Sequence, residues 1–399
     1  MRGFVPFAAV LGVALAAAAP ASGALKLELD YSYDTTAGFF NDPARREMMD
    51  LAVDSVNRYL DTLSPIVPSG DNTWTAKFSR PDTGARVFLI NPTIQSDTVV
   101  VYVGGAPMNN GSVLAETGMG TYSASGPQTW LDSLKYRGKP PDADNTYAPW
   151  GGSISFNATK DWYFGKDPAG IGGDQFDFLS TAMHELGHVL GIGPASSWKS
   201  RVDAVEGGYR FTGTAALAAG SPNNPQLLLA DQGHWAEGTL STVAGVTQVA
   251  ALDPYLSLGE HKRLTDLDFA AFTDIGWHAA AAGDVNRDGR VDSSDIDEIL
   301  AANSYDNGPG WGWSTGDNDG DGRVDSSDID NILAAGLYDA GPYAAGVTPG
   351  GEPWLTVNVN NTVLDAVGLT TRAPEPGTLV VLGLGGVAAL LRRRRRRAT

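Results

Sequence analysis

The spacing of apolar residues along the chain predicts strands that alternate with helices. Residues 25–31 alternate apolar and polar side chains, as a half-buried strand does. Helical spacing runs from the Asn41-Asp42-Pro43 start to Pro65 and again over 174–190, whereas 125–149 is predicted to be loop-rich. Further short strands are predicted at 74–78, 85–90, 98–103, 112–117 and 153–156. The order is typical of a mixed α/β (α+β) domain.

The helix over 174–190 contains the motif His184-Glu185-Leu186-Gly187-His188. Residues four apart share one face of a helix, so both imidazoles can bind one zinc ion. Glu185 would then lie beside a water activated by that zinc and could accept its proton as general base. The alternative is a surface helix with two solvated histidines. The chain has only five histidines, which favours the zinc site.

The strands, the long helix, this motif helix and its glycine stop at Gly191 together resemble the metzincin zinc peptidases. The resemblance implies a zincin-like catalytic domain over 25–278, with a mixed five-stranded sheet above an active-site helix. It also implies that an edge strand binds the polypeptide substrate in extended form, and the residues expected there are Ser112, Val113, Leu114, Ala115 and Glu116. The alternative is an edge strand covered by its own loop.

A third zinc ligand is missing from the motif itself. Metzincins carry a histidine or an aspartate three residues beyond the glycine, where this chain has Pro194. A catalytic zinc normally takes three protein ligands, so another residue must supply the third. His234, in a polar loop, is the preferred candidate, and the alternatives are His278, His261 and Glu206.

The region after the motif resembles a group of secreted bacterial metzincin-like peptidases in which a distant His-Trp pair follows a shortened motif. His234-Trp235 is that pair here. The resemblance also implies a tight turn beneath the zinc at 250–254, with Leu252 where metzincins have methionine. Tyr255 could polarise the transition state, although a packed tyrosine is the more ordinary interpretation.

Residues 283–297 recur as 316–330 with nearly the same sequence. Each copy places oxygen ligands at the spacing of a calcium loop, with glycine at the sixth position. A short helix is predicted after each loop, at 296–301 and 329–334. The predicted ligands are Asp284, Asn286, Asp288, the Arg290 carbonyl and Asp295 in the first loop, and Asp317, Asp319, Asp321, the Arg323 carbonyl and Asp328 in the second.

Two such loops with aspartate at the twelfth position resemble a dockerin, the calcium-dependent partner of cohesin. The resemblance implies a small all-α calcium-binding module over 283–340 and a cohesin-like protein partner. The serine pairs Ser293-Ser294 and Ser326-Ser327 lie where dockerins select that partner, and they are identical in both copies. The alternative is a calcium-rigidified spacer that has no partner.

Both ends of the chain have the composition of processing signals. An apolar run followed by small residues predicts a signal peptide over 1–24. Residues 279–282 and 341–373 are predicted linkers. The segment 374–399 begins with Pro-Glu-Pro, continues as an apolar transmembrane run at 378–391 and ends in arginines, and it resembles the PEP-CTERM sorting signal. That resemblance implies an exported protein, transiently anchored in the membrane, whose C-terminus is processed by an exosortase.

The composition excludes some classes of function. The net charge of −18 argues against nucleic acid as a partner, and the absence of cysteine excludes disulfides and a thiol latency switch. We therefore expect a secreted or cell-surface bacterial zinc endopeptidase that uses Zn²⁺ for catalysis and also binds Ca²⁺. The alternative is a catalytically inactive surface protein that acts through its dockerin-like module.

Overall fold

The computed structural model describes residues 24–108, 111–142 and 146–343. The predicted signal peptide, most of the second linker and the apolar C-terminal segment lie outside these ranges. No helix within them is long and apolar enough to cross a membrane. The elements up to the motif helix are β1 Lys26–Asp30, α1 Pro43–Val56, β2 Thr73–Ser79, β3 Arg86–Ile90, β4 Thr98–Ala106, β5 Ala115–Met119, β6 Thr121–Ser125, α2 Gln128–Tyr136, β7 Gly151–Asn157, β8 Trp162–Tyr163, β9 Phe176–Asp177 and α3 Phe178–Val189.

The remaining elements of the N-terminal domain, residues 24–278, are short and surround α3. They are α4 Ser196–Lys199, β10 Val202–Val205, β11 Gly208–Phe211, α5 Thr214–Ala219, β12 Leu228–Leu229, β13 Leu240–Val243, β14 Val246–Val249 and α6 Asp266–Asp274. The repeat module, residues 283–343, contains α7 Ser293–Ala302 and α8 Ser326–Ala334.

A four-stranded mixed sheet in the order β1-β4-β7-β5 organises the N-terminal domain. β1, β4 and β7 run parallel, and β5 pairs antiparallel with β7 at the outer edge. The main core includes buried residues of this sheet and of α1 and α3, with Phe156 of β7 packed on Phe178 of α3. The sheet therefore supports α3 from one side.

The prediction of a five-stranded sheet is wrong by one strand. β2 does not join the main sheet, because β3 and β6 pair with its two edges and form a separate three-stranded sheet. This sheet is joined to the main one by an aromatic cluster in which Phe78 of β2 stacks on Tyr102 of β4 at 4.0 Å. The same strands thus build two layers instead of one wider sheet.

Several predicted boundaries also change. The first helix ends at Val56 instead of running to Pro65, because the Asn57 side chain bonds the Leu25 carbonyl and the backbone then follows an extended path. The loop-rich interval 125–149 contains α2, whose residues Trp130 and Leu134 bury one face. The motif helix starts at Phe178 instead of 174, since β9 precedes it and the Asp177 side chain caps it.

The predicted edge strand is shifted. β5 starts at Ala115, so Ser112, Val113 and Leu114 precede the strand instead of belonging to it. The reason is that β7 ends at Asn157, whose backbone N–H and side-chain amide bond the carbonyls of Leu114 and Val113. No residue of β7 is left to extend the ladder beyond that point.

The repeat module starts and ends differently from the prediction. Each of its helices begins three residues earlier than expected, because Asp292 and Asp325 cap them with capping boxes. Ala280 in the first predicted linker is buried, and Tyr343 in the second folds back so that its hydroxyl accepts from the Ala281 N–H. The module therefore extends to Tyr343, and residues 279–282 are packed rather than free.

Candidate metal centre

Three histidines converge at the C-terminal half of α3. His188 Nε2 lies 3.1 Å from His184 Nε2 and 3.0 Å from His234 Nε2. Two of these residues come from one helical face, and the third returns from a loop 46 residues further on. The structure thus brings together the three residues expected as zinc ligands.

Glycines make the return of His234 geometrically feasible. Gly191 and Gly193 adopt φ values of 113° and 91°, which L side chains rarely adopt, so the chain turns sharply out of α3. A Cβ at Gly193 would lie 3.1 Å from the Cα of Gly233, immediately before His234. The two loops can approach this closely because neither carries a side chain there. Pro194 also lines the site but offers no donor.

The outer nitrogen of each imidazole is held by an acceptor. His184 Nδ1 faces the Ala251 carbonyl at 2.7 Å, and His188 Nδ1 faces the Ile192 carbonyl at 2.8 Å. His234 Nδ1 lies 3.0 Å from a carboxylate oxygen of Asp231. These contacts keep a proton on Nδ1, which leaves each Nε2 with its lone pair directed to the common centre.

Burial keeps two of the histidines neutral. It holds the pKa of His184 well below its ordinary value and lowers the pKa of His188 to about 4, and the neighbouring imidazoles add to both shifts. Asp231 carries the charge instead. Its own burial raises its pKa, but hydrogen bonds from Gly233 and His234 outweigh this and lower it overall. The centre therefore combines three imidazole nitrogens, two of them on histidines that burial keeps neutral, with one carboxylate behind them.

Glu185 points into the same space and is held by the edge strand. Thr117 Oγ1 of β5 donates to Glu185 Oε2 at 2.7 Å. Burial raises the pKa of Glu185 to about 7, although the Thr117 bond acts in the opposite direction. A carboxylate of this basicity, fixed in one orientation, can accept a proton near neutral pH.

A turn at 250–254 forms the floor of the centre. Leu252 is fully buried, and its side chain lies against Gly187 of α3. Asp268, at the start of α6, accepts from the N–H groups of Ala251 and Leu252 and from the Trp235 indole. One buried carboxylate thus holds both the floor and the loop that bears His234.

The centre opens into a cleft of about 920 Å³ between β5 and the turn at 250–256. Its lining includes the predicted substrate-binding residues Ser112, Val113, Leu114, Ala115 and Glu116, together with Thr117, Met119, Tyr255 and Lys262. Tyr255 is 62% exposed there, so it is not a packed core tyrosine.

The alternative ligands lie elsewhere. His261 Nδ1 bonds Asp177 at 2.7 Å, and His278 Nδ1 bonds Asp61 at 2.9 Å. Glu206 is exposed in the turn between β10 and β11. None of these three belongs to the histidine cluster of the described residues.

The three Nε2 atoms suit a small tetrahedral cation. Zinc–nitrogen distances of about 2.0–2.1 Å place two ligands of a tetrahedral ion about 3.3 Å apart. The observed separations of 3.0 and 3.1 Å are close to that value. Three imidazoles with hydrogen-bonded outer nitrogens match the donor set of zinc better than that of calcium.

The two repeat loops share one geometry. In the second, Asp317 accepts from the N–H groups of Gly320 and Gly322, and Asp328 accepts from those of Asn318 and Asp319. In the first loop Asp295 accepts from the N–H groups of Val285 and Asn286, and Asp284 from those of Asp288 and Gly289, so three of the four bonds recur. Asp317, Asp319 and Asp321 bring their carboxylates within 4.8 Å of one another. The donors here are hard oxygens, which calcium prefers.

Sequence reasoning missed three supporting residues, namely Thr117, Asp231 and Asp268. Asp231 had a signal, because Asp commonly accepts from the backbone N–H two or three residues on, and His234 is three residues away. Thr117 had none. Its contact with Glu185 joins residues 68 apart in the chain and exists only after β5 and α3 have packed.

Two segments of the chain match known families. Residues 137–208 match a family model described as SPBPB7E8-like. The segment includes β7, α3 and the His184–His188 pair, but it is well under half of the 399 residues. Residues 372–396 match the PEP-CTERM protein-sorting motif. The chain is an exported protein. The predicted C-terminal sorting signal is confirmed, and the match is consistent with processing by an exosortase. No curated protein and no solved structure matches the chain.

Proposed function

We propose that the protein is a zinc-dependent endopeptidase of metzincin-like type that acts after export at the bacterial cell surface or in its surroundings. The observation that carries this proposal is the convergence of three Nε2 atoms beside Glu185, inside an open cleft. His184, His188 and His234 would hold the zinc. The three histidines line the cleft, so a zinc held by them would keep a position accessible to substrate, as a catalytic zinc requires.

Glu185, Thr117 and Tyr255 have separate roles in the proposed peptide hydrolysis. When bound, zinc polarises the scissile carbonyl and makes water a stronger acid. Glu185 takes the proton of the attacking water and returns it to the leaving amine. Thr117 keeps the Glu185 carboxylate in one orientation during both transfers, because its hydroxyl donates to Oε2. Tyr255 lines the same cleft, and in this proposal its hydroxyl would donate to the developing oxyanion.

The substrate is proposed to be an extended polypeptide. β5 is the outer strand of its sheet, and the cleft runs along it from 111 to 119. A peptide could add to this edge by backbone hydrogen bonds, which require little side-chain specificity. Ser112, Val113 and Leu114 would then contact the substrate as a loop that continues the line of the strand.

The repeat module is proposed to bind two calcium ions with the residues named from the sequence. The paired loop geometry and the clustered carboxylates support this assignment. Both serine pairs are exposed, so a cohesin-like protein could reach them. The module is dockerin-like in this proposal, whether or not such a partner exists in the same cell.

The test replaces the general base. Glu185→Ala should keep stoichiometric zinc and lose peptidase activity by about 10²–10⁴-fold, because it removes only the proton acceptor. Glu206→Ala, which removes an exposed glutamate outside the site, is the matched control and should retain full activity. Zinc is measured by mass spectrometry of the purified protein and activity with a quenched-fluorescence peptide library. Full activity in Glu185→Ala would end the proposal.

A catalytically inactive surface protein is the competing function. Pro194 favours it, because the position that supplies a ligand in metzincins cannot do so here. The position of His234 weighs against it. A wild-type protein that contains calcium but neither binds zinc nor cleaves any peptide would establish this alternative.

A further inference from the structure

The repeat module packs against the N-terminal domain through both of its loops. Arg287 of the first loop donates to the Leu25 carbonyl at 2.9 Å, and the Ser314 N–H donates to Asp54 of α1 at 3.0 Å. Trp313 is 1% exposed and lies in a small apolar cluster with Leu60 and Ala280. These contacts join segments more than 200 residues apart, so they form a domain interface.

Two arginines of the N-terminal domain reach the second loop. Arg263 Nη1 lies 3.6 Å from an Asp317 carboxylate oxygen and 3.5 Å from the Gly320 carbonyl. Its guanidinium lies so close to Gly322 that any side chain there would collide with it. Arg58 lies over the Phe269 ring at 3.6 Å and the Trp313 ring at 4.8 Å, with Nη2 against Gly320. Both arginines are at most 5% exposed.

The second loop concentrates negative charge at this interface. It supplies four carboxylates as proposed calcium ligands, and Asp317 and Asp328 are almost fully buried. Arg263, 3.6 Å from Asp317, and the nearby Arg58 offset part of this charge. An unpaired buried charge costs several kcal/mol, so bound protons or a further cation must neutralise the rest. Calcium, with a charge of +2, would do so at the position where the carboxylates converge.

The interface continues directly into the cleft. Arg263 follows Lys262, whose backbone N–H donates to Ser180 of α3 at 2.7 Å. The Lys262 ammonium bonds Asp253 and the Tyr255 carbonyl in the turn below the histidines. Lys262 also lines the cleft. The segment 260–265 therefore has the second loop on one side and the active-site wall on the other.

We propose that the repeat module is a calcium-dependent docking partner of its own peptidase domain, and that docking holds the 260–265 wall of the cleft in place. The proposal rests on the calcium and peptidase assignments above. It gives the module an internal role that is independent of any cohesin-like protein. It also leaves the serine pairs accessible to such a partner, because they are exposed while the module is docked.

Hydrogen–deuterium exchange of the full chain tests the docking. Metals are removed by chelation, zinc is restored, and exchange is followed by mass spectrometry with and without calcium chloride. Calcium removal should speed exchange in the loops at 284–295 and 317–328. Docking predicts that exchange at 54–61 and 260–265 in the peptidase domain also rises by about tenfold or more, since those segments lose their cover.

The possible results distinguish the docking proposal from the calcium and peptidase assignments on which it rests. Faster exchange in the loops with no change at 54–61 and 260–265 overturns the docking proposal alone. No calorimetric signal for calcium binding overturns the calcium assignment and the docking proposal together. Neither result depends on zinc content or on the Glu185→Ala assay, so the peptidase proposal stands or fails separately.

A pair of matched variants provides a second test. Arg263→Ala removes the buried guanidinium at the interface, whereas Arg86→Ala removes an exposed guanidinium of the same domain, on β3 and outside both proposed metal sites. At saturating calcium, Arg263→Ala should show the fast exchange at 54–61 and Arg86→Ala should match the wild type. Wild-type exchange in Arg263→Ala, or equal increases in both variants, would contradict the proposal.

Discussion

The two candidate metal centres are built in opposite ways. The histidine cluster draws its nitrogen donors from α3 and from a loop 46 residues away, and a single carboxylate lies behind them. The second repeat loop draws its side-chain donors from twelve consecutive residues, and they are carboxylates. A local centre can be recognised from spacing alone, whereas a dispersed centre requires the fold that assembles it.

The largest effect is expected when His234, the ligand that lies far from α3 in the chain, is removed. His234→Ala should lose zinc and reduce peptide cleavage to background, because a catalytic zinc retains little affinity with two protein ligands. His278→Ala, which removes a histidine bound to Asp61, should keep both zinc and activity. Zinc content and cleavage rate are measured on the same samples. Stoichiometric zinc in His234→Ala would show that the centre is local after all.

A smaller effect is expected at Asp231, which contacts His234 but would not touch the zinc. Asp231→Ala removes the acceptor of His234 Nδ1 and should weaken zinc binding by about 10–100-fold, as for other partners of metal-bound histidines. Asp71→Ala, in an exposed turn before β2, serves as control. Competition with a zinc-chelating dye measures both affinities. Equal affinities would mean that the loop backbone alone positions His234.

The edge strand should affect turnover without affecting the metal. Thr117→Val removes the hydroxyl that orients Glu185 and should lower kcat by about tenfold, the value of one hydrogen bond to a charged group. Zinc content should not change. Thr121→Val, on exposed β6, should behave as the wild type. A change in KM alone would assign Thr117 to substrate binding instead.

The smallest expected effect is on the pH dependence of stability, to which the repeat loops and the histidine cluster contribute with opposite sign. In metal-free protein, burial and neighbouring carboxylates raise the pKa of Asp317 to about 7 and of Asp328 to about 8, although Arg263 opposes the shift at Asp317. Folding therefore takes up protons, and stability should fall as pH rises from about 4 to 8. The depressed histidine pKa values act in the opposite sense, but only below about 6.5.

Between pH 6.5 and 8, we therefore expect the Tm of metal-free protein to fall by a few degrees. Saturating calcium should abolish the fall, because the ion replaces the protons. The measurement is made on the Glu185→Gln variant, because Glu185 is another carboxyl group whose pKa is raised by burial, to about 7. Differential scanning calorimetry provides the values. A Tm that is constant or rises over this interval would contradict the account of the loops.

The sequence predicted well where the relevant forces are local. The helical repeat around His184 and His188 and the strands β1, β4 and β7 follow from periodicity. The prediction failed where a contact with a residue far away in the chain determines an element boundary or a strand pairing. Asn57 ends α1 by bonding Leu25, β3 and β6 draw β2 into its own sheet, and Asn157 delays β5 until Ala115. Thr117 and Asp268 support the centre through contacts of the same long-range kind.

In the proposed zinc centre, His234 supplies the third ligand beside His184 and His188. Anomalous diffraction at the zinc absorption edge, on crystals of the protein purified without added metal, would locate the ion. We expect one strong peak, about 2.0–2.1 Å from the Nε2 atoms of all three histidines, with its fourth side open to the cleft. No peak at this position, or a zinc held by the α3 pair and a residue other than His234, would contradict it.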